Sequence, residues 1–529
     1  MRGIVGHRRG PIPLDTVTTP TPASSPQSPE PADGSAEAQL RQQTSEQIEV
    51  RTAKRRRLLD AGVEAYPVGV ERTHTLAEVR GKYEHLAADE ASGEHVGVAG
   101  RVVFLRNTGK LCFATLQAGD GTRLQAMISL AGVGEESLGE WKAVVDLGDH
   151  VFVHGEVISS RRGELSVMAD RWQMASKALR PLPTLHHDLN EETRVRQRYV
   201  DLIVRDEARQ TVLDRATITR TVRQTLDAHG YIEVETPILQ LVHGGATARP
   251  FNTHMNAFDQ GMSLRIATEL YLKRAVVGGL DRVYEIGRVF RNEGVDSTHS
   301  PEFTMLECYE AYADQFVMAD RMREMILACA HALGRTRIET AAGTVDLEGE
   351  WRWLSVYPAV SEAVGEEVTP QTVIEDLRRI AAAHDVELPA DAIDQKIVMK
   401  LFEDLVEHTL LQPTFVCDYP PIAQPLARPH RSIPGVIEAW DLIIAGTETG
   451  TAFSELIDPV IQRERLTAQS RQAAAGDEEA MQLDEDFLRA LEYAAPPMGG
   501  IGLGMDRLVM LFTGVGIRES ILFPLMKPE

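Results

Sequence analysis

An α+β fold with a small β-barrel on its N-terminal side is predicted for this 529-residue chain, and three observations predict it. The length exceeds what one ordinary hydrophobic core accommodates, so two or more domains follow. Residues 95 to 175 form a run of short β-rich segments broken by turn sequences. From about Glu192 onward, long helical segments mix with strands that are not interleaved as regular βαβ units, which argues against a doubly wound sheet.

The barrel is read from VGVAGRVVFLR, KLCFATLQA, TRLQAMISL, HVFVHGEVISS and GELSVMADRWQMA, separated by NTGK, AGDGT and RRG. Five short strands with such turns suit a Greek-key barrel of the oligonucleotide-binding (OB) kind, here assigned to residues 91–178. Barrels of this kind commonly bind single-stranded nucleic acid. Phe113, with Arg106, Gln125 and Glu164, is a candidate stacking and hydrogen-bonding surface for unpaired bases. The alternative is that Phe113 belongs to the core. A proline-containing linker, 179–195, follows.

Residues 1–44 are rich in Pro, Ser, Thr and Ala and poor in large apolar side chains. Such a stretch buries too little surface to offset its ordering entropy and is expected to be a disordered leader. Residues 45–90 begin with a helical segment bearing apolar Ile48, Leu58 and Leu59 and a basic cluster of Arg51, Lys54, Arg55, Arg56 and Arg57, ended by Gly62. With a formal net charge of −23, binding to nucleic acid has to come from local patches, and this cluster is one. A merely solvated helix face is the alternative. The four cysteines, Cys112, Cys308, Cys329 and Cys417, show no zinc or redox spacing. No apolar run approaches the roughly 18 residues of a membrane span, and no signal peptide is evident. A cytoplasmic protein without membrane attachment is expected.

The segment RVFRNEGVDSTHSPEFTMLECY, 288–309, reads as two strands that break the usual alternation of apolar and polar faces. Alternation places Phe303, Met305, Glu307 and Tyr309 on one face, and Arg291 on the face of Val289 and Gly287. A charged and aromatic row is costly unless a ligand fills it. A forked guanidinium suits phosphate, an aromatic ring suits a flat base, and glutamate with a phenol suits a cation. In EAWDLIIAGTETGTAFSELID, threonines and glycines favour strand and turn. Its Asp441 and Glu448 offer the hard oxygens that Mg²⁺ takes beside phosphates. GGIGLGMDRLVMLFTG opens with glycines and continues as a helix carrying Arg507, by itself a weak signal.

Taken together, GYIEVETPIL, FRNEG…HSPEFTMLECY and GLGMDRLVM resemble motifs 1, 2 and 3 of class II aminoacyl-tRNA synthetases. The order of OB domain then catalytic domain, with ATELYLKR and FSELIDP, resembles the bacterial lysyl-tRNA synthetase family from about residue 45 to the C-terminus. The resemblance implies a catalytic domain over 196–529 built on an antiparallel sheet with helices. It implies a ligase that joins L-lysine to tRNA(Lys) at the expense of ATP, with Mg²⁺, as a homodimer related through motif 1 and Pro237.

It further implies that Arg291 grips the ATP α-phosphate, that Phe303 stacks on adenine, that Glu293 and His299 contact ATP, and that Arg507 covers the γ-phosphate. Asp441 and Glu448 match the family's magnesium carboxylates. Glu269 matches the acid for the substrate α-amino group, Gly245 lies in the amino-acid pocket, and Glu307, Tyr309 and Glu455 match the ε-ammonium pocket. Arg106, Phe113, Gln125 and Glu164 become the anticodon-reading surface, with the basic helix along tRNA phosphates. Opposed Glu307 and Glu455 raise each other's pKa unless an ammonium lies between them, and substrate lysine supplies one.

Thr451, Ile457, Thr268 and Thr298 stand where the family usually has Asn, Asn, Pro and Arg. They leave open a paralogue with altered substrate preference or inhibitor tolerance. A catalytically silent tRNA-binding regulator is the alternative from another class. Aspartyl- and asparaginyl-type enzymes share the architecture but would need cationic side chains where Glu307 and Glu455 stand.

Overall fold

A computed structural model describes residues 33–183, 189–389, 392–474, 476 and 479–528. The chain divides into two compact units, 1–182 and 183–529. The first 32 residues of the expected leader, and part of the expected 179–195 linker, lie outside the described residues.

In the first unit a helix spans Asp33–Asp60. It starts inside the stretch expected to lack order, so the leader's boundary at residue 44 needs correction. Ala, Glu, Gln, Leu and Arg dominate positions 36–43, and their helix propensity extends the helix although few large apolar side chains are present. Five strands, Ala91–Asn107, Leu111–Gln117, Arg123–Ser129, Leu165–Ser176 and His150–Ser159, close a barrel in that spatial order. Cys112, Ala114 and Leu116 point into its core and alternate with half-buried Leu111, Phe113 and Thr115, as the period of two requires. Gly109, Gly121 and Gly163 take positive φ in the three predicted turns, where a Cβ would be strained.

One element was not foreseen. A helix at Leu130–Val144, N-capped by Ser129, buries Leu138, Trp141 and Val144 between the third and fourth strands in sequence. The basic cluster also divides. Arg51 is buried and donates to the carbonyls of Leu147 and Arg180, and Lys54 pairs with Asp146 at 2.6 Å. Two of the five cationic residues of the supposed nucleic-acid patch therefore tie the helix to the barrel, while Arg56 and Arg57 remain exposed.

The second unit is built on an eight-stranded sheet in the order Arg352–Ser355, Thr414–Cys417, Ala439–Ile444, Thr447–Ser454, Met498–Gly504, Glu302–Ala311, Arg282–Phe290 and Ile232–Glu233. Pairing is antiparallel except at the two ends. GYIEVETPIL does not form one strand. It gives Ile232–Glu233 at the sheet edge and Leu239–Gln240 in a separate three-stranded sheet, because Pro237 between them lacks the N–H a continuous ladder needs.

Helices Asp206–Ala228 and Gln315–Leu333 cover one sheet face. Ile218, Val222, Met318, Met322 and Ile326 pack there against Leu306, Cys308, Trp440, Leu442, Ile501 and Leu503. Fully burying each such large apolar side chain stabilises the fold by about 1.5–3 kcal/mol. The remaining residues of the same strands must face the other way, and that second face carries the site.

Candidate active site

Cross-strand register sets the site. Glu307 pairs with Gly502, Gly502 with Thr451, and Thr451 with Asp441. These four residues form one row across four strands, so Glu307 and Asp441 stand roughly 14 Å apart at three strand spacings. One row further along, Tyr309 pairs with Gly500 and Gly500 with Phe453. A cavity of about 420 Å³ lies over these rows.

Glycines make room for it. The segment Met498–Gly504, expected as a glycine-rich opening to a helix, is a central strand. A Cβ at Gly500 would overlap Glu455 Oε1 and the Tyr309 ring, and one at Gly502 would press on Thr451 at 3.3 Å. Gly245, at φ +88°, lies against Ala267 and Glu269 on the opposite wall.

At one end of the cavity, Arg291 follows directly on strand Arg282–Phe290. Its backbone N–H donates to the Pro301 carbonyl at 2.9 Å, which closes the loop between the two strands. The guanidinium lies over the Phe303 ring, 5.3 Å from its centroid, and its Nε is buried with no hydrogen-bond partner among the described residues. Burial lowers its pKa, opposed by Glu293, Glu448 and Glu307. Glu293 and His299 sit on the exposed loop. Glu293 accepts from the Arg249 backbone at 3.4 Å, and His299 Nδ1 lies 2.9 Å from Asp296. Thr298 Oγ1 and its backbone N–H also bond Asp296.

Arg507 enters from helix Met505–Thr513, donates to the Glu448 carbonyl at 2.8 Å and lies 3.4 Å from its carboxylate. Neighbouring Asp506, which the sequence reading passed over, is buried. It accepts from the Thr304 N–H at 2.6 Å and from Arg215 at 2.5 Å. It thereby locks the start of the Arg507 helix to the strand of Phe303. Asp441 is driven well above the usual carboxylate range by burial and by the Glu448 charge, against hydrogen bonds from Thr451 and Tyr419.

At the other end the acids cluster. Glu269, Glu307 and Glu455 are all buried. Glu307 accepts from the Thr268 N–H at 3.0 Å and lies 3.4 Å from the Tyr309 hydroxyl. Burial first, and Glu269 second, push its carboxyl up to about 7. Burial also raises Glu455 and Glu269 and the Tyr309 phenol.

The internal cation here was missed. Lys273, one turn after Glu269, is 1% exposed. Its Nζ contacts Glu269 Oε1 at 2.6 Å and pairs with Glu455 Oε2. The ammonium beside Glu455, expected from the sequence to come from substrate, is thus provided by the chain itself. Glu455 Oε1 keeps no hydrogen-bond partner among the described residues.

All twelve catalytic-unit residues expected from sequence therefore border one cavity: Gly245, Glu269, Arg291, Glu293, His299 and Phe303 on one side, with Glu307, Tyr309, Asp441, Glu448, Glu455 and Arg507. Two of the four departures from the family pattern, Thr451 and Thr298, line it as well. Thr268 lends its N–H to Glu307. Ile457 packs outside the cavity, in the apolar cluster of Leu272 and Val276.

In the barrel unit, Arg106 pairs with Phe113 across adjacent strands and lies 5.7 Å over its ring. Phe113 is half-buried on the outer face, not in the core. Gln125, on the same outer face by register, donates to Ser166 Oγ at 2.8 Å. Glu164, exposed just before the last strand in sequence, pairs with Arg80 at 3.2 Å.

Comparison with known proteins agrees with both units. Residues 190–527 match the model for tRNA synthetases class II (D, K and N), and residues 96–175 match that for an OB-fold nucleic acid binding domain. The lysine–tRNA ligase of Mycolicibacterium gilvum is 60% identical over 486 residues, covering 91% of this chain and 97% of the relative. That of Kineococcus radiotolerans is 57% identical over 489 residues, covering 92% and 97%. The chain belongs to the lysine–tRNA ligase family of class II synthetases. Lysine–tRNA ligase 1 of Mycobacterium tuberculosis, 56% identical over 492 residues, has the same coverage, 92% and 97%. The row of Glu307, Gly502, Thr451 and Asp441 lies under the cavity of this chain's class II unit.

Proposed function

We propose that this chain activates L-lysine with ATP, releasing pyrophosphate, and transfers the lysyl group to the 3′ end of tRNA(Lys). One observation carries the choice of lysine. Glu455 Oε1 is a buried acceptor with no hydrogen-bond partner among the described residues, bordering the cavity beside Glu307 and Tyr309, and an ammonium on a long aliphatic stem satisfies it. An amino acid with an apolar side chain leaves that oxygen and Glu307 unpaired, a loss worth roughly 10⁴-fold in selection.

The lysine carboxylate attacks the α-phosphorus, the bond to the β-phosphate oxygen breaks, and a ribose hydroxyl of tRNA then displaces AMP from the acyl carbon. Catalysis rests on positioning and charge neutralisation. Arg291, stacked on Phe303, takes the α-phosphate while the ring's other face is left for adenine. Glu293 and His299 flank ATP, and Arg507 meets its γ-phosphate end. Asp441 and Glu448 bring two carboxylates with hard oxygen donors to the cavity. Asp441 and Glu448 would hold Mg²⁺, which supplies charge neutralisation on the phosphates when bound.

The outer barrel face of Arg106, Phe113, Gln125 and Glu164 suits unpaired anticodon bases. A homodimer through the motif 1 segment fits the exposed Ile238, Leu239 and Leu241 beyond Pro237. No described helix is long and apolar enough to cross a membrane, and the four cysteines are free and buried, in keeping with a reducing cytoplasm.

Pyrophosphate exchange with a panel of twenty amino acids tests the reading. Exchange with lysine alone is expected. Silence with every amino acid would establish the non-catalytic tRNA-binding alternative instead.

A further inference from the structure

Lys273 touches both ends of the acidic pocket at once. Its Nζ holds Glu269 through Oε1 and Glu455 through Oε2, with the Tyr309 ring centroid 5.9 Å away. Each acid is left with one more oxygen. Glu269 Oε2 lies toward Gly245, 3.8 Å from where a Cβ on that glycine would sit. Glu455 Oε1 lies toward Gly500 and the Tyr309 ring and has no hydrogen-bond partner among the described residues. One internal ammonium thus binds one oxygen of each carboxylate and leaves the other for a ligand.

Of the three buried carboxylates, Lys273 holds two, Glu269 and Glu455, while Glu307 feels the Arg291 charge. A diamino acid brings two further ammonium groups to this acidic cluster. A buried carboxylate left without a cation is strongly unfavourable. Burial alone would pull the Lys273 pKa down, but Glu269 and Glu455 outweigh it, so the clamp stays charged.

Resting on the proposed lysine-activating function, we propose that Lys273 is a positioning and specificity-determining residue. It ties the acid of the α-ammonium site to the acid of the ε-ammonium site and so fixes the span a substrate must bridge. That span favours lysine over ornithine, which is one methylene shorter. Lys273 lies beneath the two carboxylates, so it acts on substrate through them.

The test is pyrophosphate exchange by the full-length protein and its Lys273→Met and Lys273→Arg variants, with lysine and ornithine as separate substrates. In Lys273→Met, KM for lysine should rise roughly 100-fold or more from the lost charge, and the lysine-over-ornithine preference should fall about tenfold, the worth of a methylene. KM for ATP should stay within about threefold, because Arg291, Phe303 and Arg507 are untouched. The pH profile should also move. With the clamp removed, Glu269 and Glu455 face only Glu307 and Tyr309, keep their protons to higher pH, and make KM for lysine fall more steeply with rising pH than in the parent. A structural spacer would not change that slope.

Lys273→Arg restores the charge on a different head and should recover KM for lysine to within about tenfold while its lysine-over-ornithine preference stays below the parent's. If Lys273→Met does not fold, this arginine variant carries the test, and an unchanged preference overturns the proposal. A folded Lys273→Met protein with parental KM and preference overturns it equally. Absence of lysine-dependent exchange in the parent protein would overturn the functional reading itself, a separate outcome.

Discussion

Arg507 and Glu448 are joined twice: the guanidinium donates to the Glu448 carbonyl at 2.8 Å and stands 3.4 Å from its carboxylate. The candidate γ-phosphate ligand and one candidate metal ligand therefore move as a unit. Arg507→Ala should lower the rate of exchange by about 10²–10³-fold, the usual worth of one preorganised charge partner, and raise KM for ATP while leaving KM for lysine nearly unchanged. Equal loss for both substrates would place Arg507 in general support of the fold instead.

Arg291 caps the Phe303 ring at 5.3 Å and carries a buried Nε with no hydrogen-bond partner among the described residues. Replacing Arg291 by Ala should abolish ATP–pyrophosphate exchange while circular dichroism and melting stay close to the parent, since that Nε bonds no described residue. Arg291→Lys should rescue little, because an ammonium cannot reproduce the planar fork over an aromatic ring. Normal exchange in Arg291→Ala would refute the role.

Protons compete with lysine for the pocket. The Glu307 carboxyl is raised from 4.5 to about 7, by burial and then by Glu269. A carboxyl raised by folding takes up a proton in the folded state, so its stabilising contribution is complete below its unfolded pKa and is lost as pH climbs through about 7. The ligand-free protein should lose melting temperature between about pH 5 and 8, and Glu307→Gln should flatten that part of the curve. Lysine needs the carboxylate, so KM for lysine should fall by up to about tenfold per pH unit as pH rises toward 7. Steady-state kinetics at several pH values checks it. A flat KM across that range would show that Glu307 is already ionised when lysine arrives.

Alternation made much of this site legible. Phe303, Glu307 and Tyr309 share a strand face in the sequence as they do in the structure, because a period of two fixes sidedness before any partner is known. Lys273 was hidden for the opposite reason. A lysine four residues after Glu269 reads as an ordinary exposed helix pair, and only tertiary packing places that pair 1% and 6% exposed against Glu455. The strand Met498–Gly504 was hidden too, since glycine disfavours strands, whereas here the absent side chains create the space that Glu455 and Tyr309 occupy. The helix Leu130–Val144 was lost among β-rich neighbours, with two glycines, Gly132 and Gly134, in its first turns.

Lys177 offers a stability test within the barrel unit. It is buried in the barrel unit and pairs with Asp149 at 2.8 Å and Asp146 at 2.7 Å. Burial raises the Asp149 carboxyl, whereas Lys177 and Lys54 overcome burial at Asp146 and hold it low. Lys177→Met leaves Asp149 buried and unpaired, for a loss of about 3–5 kcal/mol. Urea unfolding of the full chain should show the barrel's transition shifted to lower denaturant, and Lys177→Met with Asp149→Asn should recover part of it. Additive losses in the double variant would mean that the two groups do not act as a pair.

Phe113 separates the two half-reactions. Its ring lies half-buried on the outer barrel face under Arg106, in a different compact unit from the acidic pocket. Phe113→Ala removes a stacking surface worth about 1–3 kcal/mol per base, which corresponds to a loss of roughly 5- to 150-fold in kcat/KM for tRNA. Pyrophosphate exchange needs no tRNA and should be unchanged. Phe113→Tyr should retain charging, because it keeps the aromatic face. Charging assays on the three proteins, run beside exchange, decide it. If Phe113→Ala charges tRNA as the parent does, the anticodon is read elsewhere on the barrel.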